Sequence, residues 1–433
     1  MAENKAATEK TSLKDKFLNI KTYDFVVQDF LKNVCEVIVE NISGQNIESV
    51  ILIGSFSKGE GTVYIDRNNR PVFLSDSEFI VVLTKEADYR MLRDKPNQIS
   101  INVSRKLKEE EFDLEVDLSL FLEKSLTKMP PTAFTYELKN YGKVVWGNRK
   151  ILDVVPDYKR DDIKKEESMV VIFNRALEQL KEIFGDKKGI MPTQTYQICK
   201  GYVNLASSIL IAEGKYEPLY KNMLAQMNRL DYTPIPSSSP LMEKIRKWMD
   251  FKLNPKEDLL FKSRKEVLKE WEKLRNYYKD IWLWESGKFQ IVHPSTSLRA
   301  GSRQSTDHRP QIADYRELAK LNLKRERLKY KIKGWCKLIL YQEKSGNFSL
   351  FRAVRLIFKG SPKMLAWMCG MGVYVNYDCM VDSRQSIVHS KKKKMDFVLR
   401  HLPVIPREYR KKKLDWNDLR EIVVYNWEKF AKK

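Results

Sequence analysis

Short apolar runs alternate with helical segments between about residues 48 and 150 of this 433-residue chain, and then the alternation stops. From about residue 160 the apolar positions recur only at three- and four-residue spacing, the period of a helix that packs along one face. Few folds are open to such a chain: a small sheet covered by helices, then helices packed on helices. The fold class expected is α+β, with a short mixed β-sheet flanked by helices and followed by an all-α helical bundle. A chain of 433 residues is long for one ordinary core, so more than one domain is expected.

Residues 12–45 read as helix, with Leu18, Phe25, Phe30, Val34 and Ile38 among the apolar positions on one stripe. Ser49 to Ile53 is a β-branched run ending at Gly54, which suits a buried strand. Thr62 to Ile65 and Val72 to Leu74 flank the turn-forming cluster Asp66 to Pro71, so a hairpin inserted in a loop is expected. Phe79 to Leu83 reads as a second buried strand, and a helix is expected across roughly Asp88 to Lys108. The third strand, Phe112 to Leu122, alternates: Phe112, Leu114, Val116 and Leu118 point one way, Asp113, Glu115 and Asp117 the other. A helix through Tyr136 and Leu138 and a strand over Gly142 to Gly147 close this part. Met169 to Phe184, Thr193 to Glu213 and Lys256 to Leu283 are long and amphipathic. Residues 294–310 are rich in Ser, Arg and Gly and read as a linker.

The charge of +22 favours polyanions as partners, whether nucleotides, RNA or anionic headgroups, and says nothing about fold. Residues 311–433 hold about 29 Lys and Arg against about 12 Asp and Glu, so most of the surplus sits there. Lys391 to Lys394 and Arg410 to Lys413 are the densest runs, and Trp335, Trp367, Trp416 and Trp427 interleave with them. At helical spacing, core is the better reading for those tryptophans, with a nucleic-acid or membrane-interface surface as the alternative. Five scattered cysteines without CxxC spacing argue against a zinc site or a disulfide framework. The N-terminus is polar, and no run approaches the 18 apolar residues of a membrane span, so a cytoplasmic protein without a transmembrane segment is expected.

One constellation carries chemistry. Gly54 and Ser55 end a strand and open a turn, with Ser57, Lys58 and Gly59 following. Glycines at such a junction let backbone N–H groups approach phosphate oxygens, and a serine hydroxyl adds a donor. Asp76 and Glu78 stand at i and i+2 before a hydrophobic strand, so both carboxylates share one face of an extended segment. The third acid has three candidates on one face, Asp113, Glu115 and Asp117. Asp117 is preferred because it lies deepest in the apolar run, with Glu115 next. Three carboxylates at the ends of adjacent strands would repel one another unless cations neutralise them, and hard Mg²⁺ prefers such oxygen ligands together with substrate phosphates.

Gly54-Ser55-x-x-x-Gly59, then Asp76-x-Glu78, then a carboxylate in a following strand resembles the DNA polymerase β-type nucleotidyltransferase superfamily. The string Gly54 to Gly61 is most similar to the Gly-Ser-Phe-Ala-Arg-Gly-Glu form of its minimal and antibiotic nucleotidyltransferases. The resemblance covers about 100 residues and implies transfer of a nucleoside monophosphate from an NTP to an acceptor by a two-metal in-line mechanism. It implies Asp76, Glu78 and Asp117 as catalytic ligands of Mg²⁺ or Mn²⁺, and Gly54, Ser55, Ser57, Lys58 and Gly59 around the triphosphate. Two departures are plain: the spacer before Asp76 is long, and Ser77 stands where many members have an aliphatic residue.

The domains expected are a helical segment over 1–47, a nucleotidyltransferase core over 48–155 and a helical bundle over 156–292. A linker over 293–311 and a basic, mainly helical region over 312–433 complete the chain. The acceptor could be a small molecule, a protein side chain or an RNA end, with polyanion contact through the basic C-terminal region. The competing reading is a non-catalytic nucleotide- or polyanion-binding protein on the same fold, part of a polysaccharide or envelope system.

Overall fold

The computed structural model describes residues 24–42, 46–92, 95–109, 115–185, 191–230, 238–288, 359–377, 388–409 and 414–431, with isolated positions between 319 and 356. The linker over 293–311, Asp113, Trp335 and Arg410 to Lys413 lie outside the described residues. The protein is mixed α+β and mostly helical, with a small mixed sheet. The chain divides into two compact units: 1–165 with 213–228 and 249–260, and 166–212 with 229–248 and 261–433.

In the first unit the two most apolar runs become the two central strands. Ile47–Ile53 (β1) and Ser77–Leu83 (β4) lie side by side in a four-stranded sheet, with Val116–Leu122 (β5) beyond β4 and Lys143–Gly147 (β6) beyond β1. β1 runs antiparallel to β4 and β6, whereas β4 and β5 are parallel. Central strands buried on both faces read as continuous apolar runs; an edge strand alternates, as β5 does. One face, Val50, Leu52, Phe79, Val81 and the even-numbered residues of β5, joins the core formed by Val34, Val37 and Ile38 of Asp24–Ile42 (α1). The other face, Ile51, Ile80 and Val82, meets Leu126, Leu138, Ile151 and Val155.

Two parallel strands need a crossover, here Glu86–Leu92 (α3) and Pro96–Glu109 (α4). The single helix expected across 88–108 is two helices. Pro96 lacks an N–H and fixes φ, so it suits the first position of a helix rather than its interior. α4 also closes the sheet edge, since its Ser104 and Ser100 hydroxyls accept from the backbone N–H of Val116 and Leu118, each at 3.1 Å. The hairpin is present as Val63–Ile65 (β2) and Pro71–Phe73 (β3). Asp66 Oδ1 accepts from the N–H of Asn68 and Arg70 and fixes its turn. A single turn, Gly54–Ser57 (α2), follows β1; the short Glu123–Leu126 (α5) and Ala133–Tyr141 (α6) follow β5; and Tyr220–Met227 (α9) joins from the 213–228 segment.

Among the described residues the second unit is built of helices. Glu167–Phe184 (α7), Met191–Glu213 (α8, all but its last residue), the first part of Ser238–Leu253 (α10) and Arg264–Lys288 (α11) are joined there by Pro362–Val375 (α12), Val388–His401 (α13) and Trp416–Phe430 (α14). Three of the four C-terminal tryptophans are core residues. Trp367 and Trp427 both donate their indole N–H to Asn174 Oδ1, at 2.9 and 3.0 Å, and Trp416 packs edge-on to Phe184 with ring centroids 4.9 Å apart. No helix among the described residues is long and apolar enough to cross a membrane.

Glu285 of α11 is fully buried, with Oε1 2.5 Å from the Ser208 hydroxyl, which in turn is 3.0 Å from the Ser168 carbonyl. Burial pushes its carboxyl up to about 8, against the weaker opposing pull of the Ser208 and Ser168 side chains. The folded form therefore keeps a proton that the unfolded chain sheds near its ordinary value of 4.5, so stability falls as pH rises from there to about 8 and then levels off. Glu285→Gln keeps the shape and removes the titration. It is expected to flatten that slope and to gain on the order of 2 kcal/mol at pH 8, read from denaturant unfolding of both proteins across pH 5–9.

Candidate active site

The sheet brings two of the three expected acids to one register position. Glu78 of β4 and Asp117 of β5 are direct Cα partners on adjacent parallel strands, both half-buried. Paired residues of parallel strands point to the same face, and flanking Phe79, Val116 and Leu118 point into the core on the opposite face. Glu115, the other described candidate, is exposed and one step outside the strand, where its carbonyl accepts from Ser77 N–H at 2.8 Å. Asp76 is half-buried and lies two residues before Glu78, just ahead of β4.

Across the sheet Glu78 is also the partner of Ile53, the last residue of β1, so its carboxylate comes up against the turn that follows. Gly54 has φ +73°, a left-handed conformation, and a Cβ there would sit 2.6 Å from Glu78 Oε2. Glycine is thus required twice over, by backbone conformation and by the close approach of a carboxylate. Gly59 ends the turn, also left-handed at +71°.

Two of the residues expected on the triphosphate are turned inward. The Ser57 hydroxyl donates to the Gly54 carbonyl at 2.9 Å, and its residue is buried. Lys58 has a side chain only 3% exposed, and its ammonium donates to Glu137 Oε2 and the Pro218 carbonyl, each at 3.0 Å. Burial alone would push that ammonium down, but Glu137 and the electron-rich Tyr220 ring 4.4 Å away hold it above the usual lysine range. In this structure the ammonium is taken up by Glu137 and the Pro218 carbonyl.

Residues missed by sequence reasoning surround this turn. Glu60, 2% exposed, accepts from the backbone N–H of Tyr220 at 2.9 Å and of Lys221 at 3.1 Å. Lys252, buried, donates to Ser75 Oγ at 3.1 Å, and that oxygen also accepts from Thr62 N–H. Glu60 stood in the motif as an acid within a glycine-rich loop, which was the available signal; its partners are 160 positions away along the chain.

A divalent cation would take its ligands from Asp76, Glu78 and Asp117. In donor chemistry they fit, being all carboxylate oxygen beside a turn that admits backbone at close range. In position the fit is partial: Glu78 and Asp117 share a register, yet among the described residues no group of three or more His, Cys, Asp or Glu is arranged to hold a metal.

No family model matches the sequence. No curated protein matches it either. Among solved structures the chain is similar to a spectinomycin adenyltransferase from Enterococcus faecialis, crystallised with ATP and spectinomycin, at 14% identity. That likeness covers 58% of this chain and 99% of the other, with a TM-score of 0.34, too slight to bear on substrate or mechanism.

Proposed function

We propose that this protein is a metal-dependent nucleotidyltransferase that moves a nucleoside monophosphate from an NTP to an acceptor hydroxyl or phosphate. The observation that carries the reading is the pairing of Glu78 with Asp117 in one register, with the Glu78 carboxylate against the left-handed turn at Gly54. Asp76, Glu78 and Asp117 are the residues that would hold Mg²⁺ or Mn²⁺, with Asp76 just ahead of β4, two residues before Glu78. Bound there, divalent cations would neutralise the crowded carboxylates and the developing charge on the pyrophosphate. The Gly54 and Ser55 backbone amides would fix the triphosphate, and the Ser55 hydroxyl would donate to it. Asp117, on the edge strand, would accept the proton of the attacking group.

Pyrophosphate release from each NTP, with Mg²⁺ or Mn²⁺ and a cell extract as acceptor pool, tests the reading. Release by wild-type protein that disappears in Asp76→Ala supports it. NTP binding with no release in any extract would sink transfer and leave a nucleotide-binding protein.

A further inference from the structure

The turn from Gly54 to Glu60 is anchored in the core by Phe56, and its two charged side chains, Lys58 and Glu60, both reach one short segment. Lys58 donates to the Pro218 carbonyl, and Glu60 accepts from Tyr220 and Lys221 N–H. Glu137, the partner of Lys58, also accepts from the Tyr216 hydroxyl, and Glu217 pairs with Arg160 at 3.0 Å. Five of the six residues from Tyr216 to Lys221 are thereby anchored. At its near end Glu60 is tied to the turn by its own N–H, which donates to the Ser55 carbonyl at 2.9 Å. A carboxylate buried as Glu60 is costs several kcal/mol unless its oxygens are satisfied, and here both accept backbone N–H groups.

We propose that Glu60 and Lys58 are positioning residues that lock the Gly54–Ser55 turn onto the 216–221 segment, holding its amides in place for the β- and γ-phosphates of an NTP. The inference rests on the nucleotidyl-transfer reading and assigns the motif's acid and lysine to shaping the phosphate site without touching phosphate. The turn carries left-handed residues at both ends, and its own hydrogen bonds include Ser57 Oγ to Gly54, Lys58 and Gly59 N–H to Phe56, and Glu60 N–H to Ser55. Such a turn keeps its shape against an arriving polyanion only if something rigid holds it, and preorganised donors lose nothing to reorganisation when the ligand lands. Two opposite charges, at positions 58 and 60, grip the same segment, one at the Pro218 carbonyl and the other at the Tyr220 and Lys221 N–H groups.

The test compares ATP with AMP, which lacks the phosphates the turn would hold. In Glu60→Gln the amide can accept only one of the two N–H groups and turns a donor toward the other. ATP·Mg²⁺ affinity, by calorimetry on the full-length protein, is expected to fall about tenfold or more, and AMP affinity by less than about threefold. Unchanged ATP affinity in the folded variant, or equal losses for both ligands, overturns the inference. Should Glu60→Gln not fold, Lys58→Met/Glu137→Gln removes the second lock with its charges balanced; the same selective loss of ATP is expected, and its absence overturns the inference equally. Wild-type protein that binds none of the four NTPs removes the transfer reading and this inference together. Wild type that binds while both variants bind alike removes this inference alone.

Discussion

Asp117→Asn is expected to cut nucleotidyl transfer by about a thousandfold or more while the protein stays folded. The substitution keeps the side chain's size and one oxygen, so the half-buried position on β5 still packs and stability should move by no more than about 1 kcal/mol. What it removes is negative charge, and with it both the affinity for a hard cation and the capacity to take a proton from the acceptor. The register with Glu78 makes Asp117 the acid to test first, because neighbours on parallel strands deliver their carboxylates to one place. Glu115→Gln is the matched control: its side chain is exposed and it lies one step outside the strand, so it should keep activity within about threefold. Turnover measured for the two variants side by side, with a metal titration of each, checks both halves. Equal loss in both, or loss in Glu115→Gln alone, would move the third ligand away from Asp117.

Gly54→Ala should be nearly as damaging through one methyl group. An L-residue held at φ +73° costs about 1–2 kcal/mol in backbone strain. The new Cβ, 2.6 Å from Glu78 Oε2, must also displace that carboxylate or the turn. A shift of about 1 Å in a reacting group is worth about a hundredfold in rate, so activity is expected to fall at least that far while thermal stability drops only modestly. Gly61→Ala does not separate these effects, because a Cβ there meets the Phe56 ring. The informative partner is Gly54→Ala with Glu78→Asp, which withdraws the carboxylate. Recovered stability without recovered activity would show that the methyl acts on Glu78.

Much of the first unit was legible in sequence because its signals are local. β-branched runs around Ile51 and Ile80 announce central strands, Asp66 to Pro71 announces a turn, and the alternation before Leu122 announces a strand with one polar face. The break at Pro96 was equally local but was overridden by the apolar periodicity on either side of it. Strand order was not legible: that β1 lies between β4 and β6, antiparallel to both, follows from packing across nearly 100 residues. The acids could be singled out by spacing, yet only the register of β4 with β5 separates Asp117 from Glu115 geometrically. The resemblance implies Lys58 beside the triphosphate, and its burial against Glu137 depends on a helix some 80 positions away. For the same reason Glu60 had no role until its partners at Tyr220 and Lys221 were in view.

Nucleotidyl transfer by the carboxylates around Glu78 is read from label incorporation. Wild-type protein and Asp76→Ala are each incubated with α-labelled and, separately, γ-labelled NTPs, with Mg²⁺ or Mn²⁺ and cell extract. Label from the α position in a product formed only by wild type, with none from the γ position, is the predicted result, and product size then tells small molecule from protein or RNA. In a product absent from extract alone, label from the γ position, or α-label that survives Asp76→Ala, would rule out nucleotidyl transfer at these carboxylates.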